Sequence, residues 1–410
     1  MGPDSVPREV RPFCVPVSRL VPIRLRWSGY ALVGVVCATI AVWPTTAVAH
    51  DASSWGGLFR SRDGGATWFQ ANQGRLVAGA LGIAVDPSDA NHLLLGTDAG
   101  LLTSRNGGLD WQAAVGLPGT AVLTVAFDRG GRRELAGSDI GVFSSEDDTA
   151  WRAAAVPAAG VPARGLVVGR LPGQVYLLGS RGLFRSDDWS QTWTPLDAGL
   201  PREPVLGLGV VDDHSLVCLV GGQTWLSDDA GQSWRPGPGG LPQGQLQMLS
   251  ADETGIWTAG RDRLFRSEDG GRTWRTIGQP LPDAHTDIRG VVASADAARI
   301  LVSTHRGAYS TSDGGATWSA VTDNLPGHIE AGPLLRDPVD AGTVYIGFAL
   351  TPYDEQWRRA VDGGSAASRI ATADIVGAAA FLLLLALGSG LALHWLARRR
   401  APRTAAVSVR

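Results

Sequence analysis

The 410-residue chain contains no lysine; all 36 of its basic residues are arginine. They are nearly balanced by 39 acidic residues, for a net charge of −3 with both signs scattered. That pattern excludes the basic stripe of a nucleic-acid binder, so no nucleic acid is expected as a partner. Cysteine is almost as scarce: Cys14, Cys37 and Cys218. The first two lie in an N-terminal leader, and the single thiol left after its removal can form no internal disulfide. Cys218 sits in the apolar run LVCLV and reads as a small buried hydrophobe, not a nucleophile. His92, His214, His285, His305 and His328 stand singly, without the i, i+4 or Cys-x-x-Cys spacing of a metal site. The Asp-Gly-Gly turns lack the succession of oxygen ligands of a calcium loop. No G-x-S-x-G elbow or phosphate loop occurs. Neither a metal nor a cofactor is therefore expected.

Glycine (54), proline (24) and tryptophan (15) are plentiful. Seven tryptophans close an octapeptide: SRDGGATW (61–68), SRNGGLDW (104–111), SSEDDTAW (144–151), SDDWSQTW (186–193), SDDAGQSW (227–234), SEDGGRTW (267–274) and TSDGGATW (311–318). Successive copies lie 40–44 residues apart. Such a period, built from short apolar runs between turn clusters, is the signature of a β-propeller. In residues 79–115, Ala80–Val85, His92–Gly96, Gly100–Ser104 and Leu109–Val115 read as four strands, with the octapeptide between the third and fourth. Its third place, held by Asp63, Asn106, Glu146, Asp188, Asp229, Asp269 and Asp313, can accept backbone N–H groups inside the turn. Its glycines allow a tight hairpin. Trp68, Trp111, Trp151, Trp193, Trp234, Trp274 and Trp318 are large enough to fill the wedge between blades. The 144–151 copy is the poorest; read one residue shorter, from Ser145, it aligns Phe143 with the phenylalanines of other units, and the sequence does not choose between the two registers.

The chain begins and ends out of phase. Residues 55–72 hold a third and a fourth strand, and residues 332–349 a first and a second. The N-terminal segment is predicted to complete the last blade, closing a ring of seven without an open edge.

The octapeptide resembles the Asp-box, or bacterial neuraminidase repeat, found in sialidases, plant-wall glucanases, sortilin-type receptors and photosystem II assembly propellers. One box per blade and seven blades are most similar to the photosystem II assembly-factor group. The resemblance implies an all-β seven-bladed propeller whose boxes are structural hairpins at the outer edge, remote from any central site. It identifies a fold and not an activity.

A sialidase would need an arginine cluster and a glutamate-activated tyrosine. Its arginine-isoleucine-proline signature is absent beyond the leader. Tyr176, Tyr309 and Tyr345 fall at packing positions of strands, and Tyr353 falls in a linker. A sialidase-like glycoside hydrolase is therefore the alternative, and the leading expectation is a non-catalytic scaffold for a protein or glycan. Its ligand face should carry the loops between second and third strands, with Asp98, Asp139, Arg181, Gln223, Arg261, Asp262, His305 and Arg306. The blade-joining loops share a G-L-P-like turn there.

The two ends suggest a compartment. Arg8, Arg11, Arg19, Arg24 and Arg26 precede an apolar run from Tyr30 to Trp43 and the triplet Ala47-Val48-Ala49, which predicts a signal peptide over 1–49. Ile375–Leu396 is apolar and long enough to cross a hydrocarbon core of about 30 Å. Arg398, Arg399, Arg400 and Arg403 follow it and assign the tail 397–410 to the cytoplasm. The expected organisation is a propeller over 50–350, a linker over 351–374 and one C-terminal transmembrane helix over 375–396. The protein would be single-pass in the cell membrane, with its propeller extracytoplasmic.

Overall fold

The computed structural model describes residues 56–362, except 73–74, 147, 149, 159–160, 243 and 284–285. The segment 1–49 expected to be a signal peptide, the apolar run 375–396 and the segment 397–410 lie outside the described residues. Within them no helix is long and apolar enough to cross a membrane.

Seven four-stranded antiparallel sheets follow one another, as the repeat predicts. The first blade is β3 (Ala80–Asp86), β4 (Asp89–Thr97), β5 (Gly100–Ser104) and β6 (Gln112–Ala113). The first strands of the other blades are β7 (Val122–Phe127), β11 (Ala163–Val168), β15 (Val205–Val210), β19 (Met248–Asp252), β23 (Ile288–Ala293) and β27 (Glu330–Arg336). These first strands touch their neighbours in order, and β27 returns to β3, so they form the inner ring. Strand order alternates direction from the centre outward. The second-to-third hairpins and the blade-joining loops therefore share one face, and the octapeptide hairpins lie on the other, at the outer edge.

Ring closure is as predicted. β1 (Gly57–Ser61) and β2 (Phe69–Gln70) join β27 and β28 (Val344–Ala349) in the order β2-β1-β28-β27. Register runs from Gly57 opposite Phe348 to Ser61 opposite Val344. Phe59 packs edge-on against Phe348, with ring centroids 5.4 Å apart. Asn72 Oδ1 accepts the Leu58 N–H at 2.9 Å, fixing the entering strand.

The core is distributed as seven apolar clusters, one in each gap between blades. Second strands such as β12 (Val175–Gly179), β16 (Leu216–Val220) and β24 (Ile300–Thr304) are buried along their whole length. That explains the unbroken apolar runs of β12 and β16: both faces meet a neighbouring blade. Tyr176 and Tyr345 are buried packing residues of β12 and β28. Cys218 is buried in β16, and burial pushes its thiol well above the ordinary range.

An eighth cluster was not expected. Tyr353–Val361, inside the stretch read as a linker over 351–374, is a helix, α1. Its Trp357 is buried against Leu81, Leu123 and Ala349. The linker reading is corrected for these nine residues. Their own sequence is polar, and what makes them helical is contact with the propeller.

Candidate functional site at the channel mouth

The box hairpins account for their residues locally. In the first copy, Ser61 Oγ donates to Asp63 Oδ1 at 2.7 Å and accepts the Gly65 N–H at 2.8 Å. Asp63 then accepts the Thr67 N–H at 2.9 Å and the Thr67 hydroxyl at 2.6 Å. The same set recurs around Asp188, Asp229, Asp269 and Asp313. Donors from the threonine and serine side chains stabilise the ionised carboxylate. Asp63 is held far below the usual range, and the other four at about 2. In the second copy the pair is exchanged: Asn106 Oδ1 accepts the Asp110 N–H at 2.8 Å, and Asn106 Nδ2 donates to Asp110 Oδ2 at 2.7 Å.

Glycine is required where the hairpin presses on the preceding blade. Gly271 has φ +81°, and a Cβ there would meet Val217 at 2.9 Å. The tryptophans tie neighbouring blades together. The indole N–H groups of Trp111, Trp193, Trp234 and Trp318 donate to carbonyls of Ala71, Ala155, Leu196 and Gln279 at 2.6–3.0 Å. Trp68, Trp111 and Trp151 are buried, while Trp193, Trp234, Trp274 and Trp318 are half-buried.

The copy at 144–151 adopts the shorter register. Arg152 pairs with Ser144 and Ala153 with Phe143, so Ser145 stands where the box serine stands elsewhere. The assignment of Glu146 to the third place is therefore corrected. That place falls to Asp147, outside the described residues, and exposed Glu146 belongs to the end of β9 (Val142–Glu146).

The eight hairpin-tip residues fall at the second-to-third hairpins on the loop face, and several are tied to their own turn or to an adjoining loop. Asp98 beside Gly79 is half-buried, and burial raises its carboxyl. Asp139 accepts the Thr120 hydroxyl. Arg181 lines a small cleft with Asp197, Arg202 and Glu203. Gln223 opens a third strand. The carbonyls of Arg261 and Asp262 accept N–H groups of Ile288 and Leu281. His305 Nδ1 accepts the Asp287 N–H at 2.9 Å, and Arg306 pairs with Asp283 at 3.3 Å. Among the described residues, no hydrogen bond or ion pair joins two of these eight.

The convergence lies further in, on the inner ring. Five first strands slip register by one residue near their start, between 80/82, 122/124, 163/165, 205/207 and 288/290. The residues skipped are Leu81, Leu123, Arg164, Leu206 and Arg289. A bulge leaves one residue outside the ladder and re-aims its side chain. Four of these five reach α1, which sits over the mouth of the central channel on the loop face. Leu81 and Leu123 form the apolar floor under Trp357. Arg164 stacks over the rings of Tyr353 and Trp357 at 5.5 and 5.1 Å. Asp354 bridges Arg289, at 2.6 Å, and Arg164, at 3.4 Å. Burial raises the Asp354 carboxyl, but the two guanidiniums outweigh it and the net shift is downward.

The start of the helix is held by the propeller too. Pro352 offers no side-chain cap. Glu330 of β27 supplies one instead, its Oε1 accepting the Tyr353 N–H at 2.9 Å. Helix starts carry unsatisfied N–H groups and favour a carboxylate. Glu330 is buried, which raises its carboxyl against the opposing pull of Arg289. The Tyr353 hydroxyl donates to the Arg164 carbonyl at 2.6 Å, and burial pushes its pKa up to about 12. Arg164, Arg289, Asp354 and Trp357 were not singled out by sequence, whereas Glu330 lies just beyond a blade-joining turn, among the non-repeating residues where sequence places specificity. The available signal was that arginine replaces leucine at one recurring place, in ARGLVV and IRGVVA.

A family model described as photosynthesis system II assembly factor YCF48 matches residues 52–276, more than half of the chain. The chain belongs to the YCF48 family. The match takes in six of the seven boxes and Arg164, and stops before Arg289, Glu330 and α1. Solved YCF48 structures share the fold. One, YCF48 bound to a D1 peptide, is 16% identical with TM-score 0.51, over 67% of this chain and 94% of that one. YCF48 from Cyanidioschyzon merolae is 15% identical with TM-score 0.51, over 67% and 96%. A GH74 xyloglucanase from Xanthomonas campestris is 17% identical with TM-score 0.53, over 67% of this chain and 51% of that one. At these identities the likeness is one of fold. No curated protein matches the chain.

Proposed function

We propose that this YCF48-family propeller is a non-catalytic assembly scaffold that binds a polypeptide partner at its channel mouth. The observation that carries the reading is that the mouth already holds a polypeptide. Glu330 takes a backbone N–H, Arg164 and Arg289 take a carboxylate, and a two-leucine floor takes an indole. These are the groups by which a segment of another protein would be held. A YCF48 solved with a D1 peptide supports a peptide as the class of ligand.

We further propose that the leader directs export and that 375–396 anchors the chain. Residues 363–374, at roughly 3.3–3.6 Å each, span at most about 40 Å. On this reading the loop face is turned to the bilayer, and its partner is the extracytoplasmic part of a membrane complex.

The test is affinity purification of the full chain from membranes of its own source. A stable membrane-complex partner should co-purify with the wild type and with Arg306→Ala, and be lost with the Arg164→Glu/Arg289→Glu pair. Retention of the partner by that pair would remove the mouth from the account. Hydrolysis of fluorogenic glycosides by the purified chain would overturn the non-catalytic reading.

A further inference from the structure

The contacts of α1 differ in kind from those that hold the ring. The seven blades close through β1 and β28 before α1 begins. One α1 side chain, Trp357, is buried, with Tyr353 and Ala360 partly buried beside it, and the remaining contacts are charges, ring stacking and hydrogen bonds at the helix start. A helix of nine residues is marginal in water on its own. It exists here because the mouth orders it.

Removing α1 would leave a defined vacancy. Arg164 and Arg289 would lose the carboxylate they share, and Glu330 the N–H it caps. Leu81 and Leu123 would lose their indole. Those groups specify a ligand: a segment with a carboxylate and an aromatic side chain one helical turn apart, as Asp354 and Trp357 are. A pair of guanidiniums suits a carboxylate, and Arg164 stacks on aromatic faces.

We propose that α1 is an intramolecular ligand of the channel mouth, and that a partner segment of this chemistry gains the arginine pair by displacing it. The inference rests on the scaffold reading and adds competition to it. The free chain is then closed to weak or ill-matched segments, because any entrant must first overcome α1. Apparent affinity falls by the fraction of molecules in which the mouth is open.

The experiment uses the full chain and a fluorescein-labelled synthetic peptide of residues 351–362 (TPYDEQWRRAVD), with fluorescence anisotropy as the readout. The Asp354→Asn/Trp357→Ala variant weakens the resident helix and leaves the mouth intact. It should bind the peptide at least tenfold more tightly than the wild type, and adding Arg164→Ala should abolish the gain. Equal binding by wild type and variant, or a gain that survives Arg164→Ala, would overturn displacement. If the double variant does not fold, Asp354→Asn alone carries the same comparison with a smaller expected gain. Failure here while the partner still co-purifies in an Arg164- and Arg289-dependent way removes competition and leaves the scaffold reading standing.

Discussion

The two faces of this propeller are built on opposite rules. On the outer rim, the same bonds recur in most blades: serine or threonine to aspartate and aspartate to a hydroxyl in five, and tryptophan to the preceding blade in four. At the channel mouth, one recurring bulge place holds leucine in three blades and arginine in two. Repetition marks what every blade needs in order to pack. Departure from repetition marks the single place where the ring, as a whole, faces something else. The rim should therefore govern stability and leave binding alone, and the mouth should do the reverse.

The largest expected effect breaks the rim altogether. Deleting residues 56–72 removes β1 and β2, opens the edge of β28 and strips Phe59 and Trp68 from the last wedge. The ring should lose its single cooperative thermal transition, whereas a truncation that melts like the full chain would mean that closure is not needed.

Smaller and more local is Ser267→Ala. It removes the hydroxyl that bonds both Asp269 and the Gly271 N–H, leaving a buried N–H unpaired. Chemical denaturation should show a loss of about 1–3 kcal/mol, with partner co-purification unchanged.

A comparable effect, but with a pH signature, is expected beside the rim at Glu134. Its Oε1 lies 3.6 Å from His92 Nε2, and both side chains are buried. Burial, reinforced by the charge of Asp148, raises Glu134 to about 7, while burial and Arg105 lower His92. A carboxyl raised in the folded state contributes stability that is full below its unfolded value near 4.5 and is lost as pH rises through about 7. Glu134→Gln removes that loss. It should be more stable than the wild type at pH 8 by about 1–3 kcal/mol and show little difference at pH 4.5. Equal stabilities at both pH values would remove Glu134 as the cause.

The box aspartates run the other way. Their carboxyls are depressed to about 2, so their contribution is present above pH 3.8 and is lost as pH falls through 2. The smallest change is Arg306→Ala at a hairpin tip. Its exposed pair with Asp283 should be worth less than about 1 kcal/mol, within the error of an unfolding curve.

The rim was legible in the sequence because a box is solved within eight consecutive residues. Asp63 needs only Ser61 and Thr67 to find its bonds. Blade count and closure followed from the same spacing. The register of the 144–151 copy was not legible, since it turns on how Arg152 and Ala153 pair with the preceding strand. The mouth was hidden for a stronger reason. Arg164, Arg289 and Asp354 are far apart in the chain and meet only because seven first strands converge. The run YDEQWRRAV reads as linker because its partners, Leu81, Leu123 and Glu330, lie on other blades. Conversely, several charged hairpin tips that are conspicuous in sequence bond to adjoining loops, as His305 does to the Asp287 N–H.

The central claim, that the mouth holds a separable segment on a ring that is complete without it, is tested most directly by amide hydrogen exchange on the full chain. Exchange reports local opening free energies residue by residue. The α1 amides should exchange at least a hundredfold faster than those of β12, β16 and β24, and Asp354→Asn should accelerate α1 without changing the blades. If α1 exchanges together with the second strands, and Asp354→Asn speeds both, the helix is part of the ring and the account is wrong.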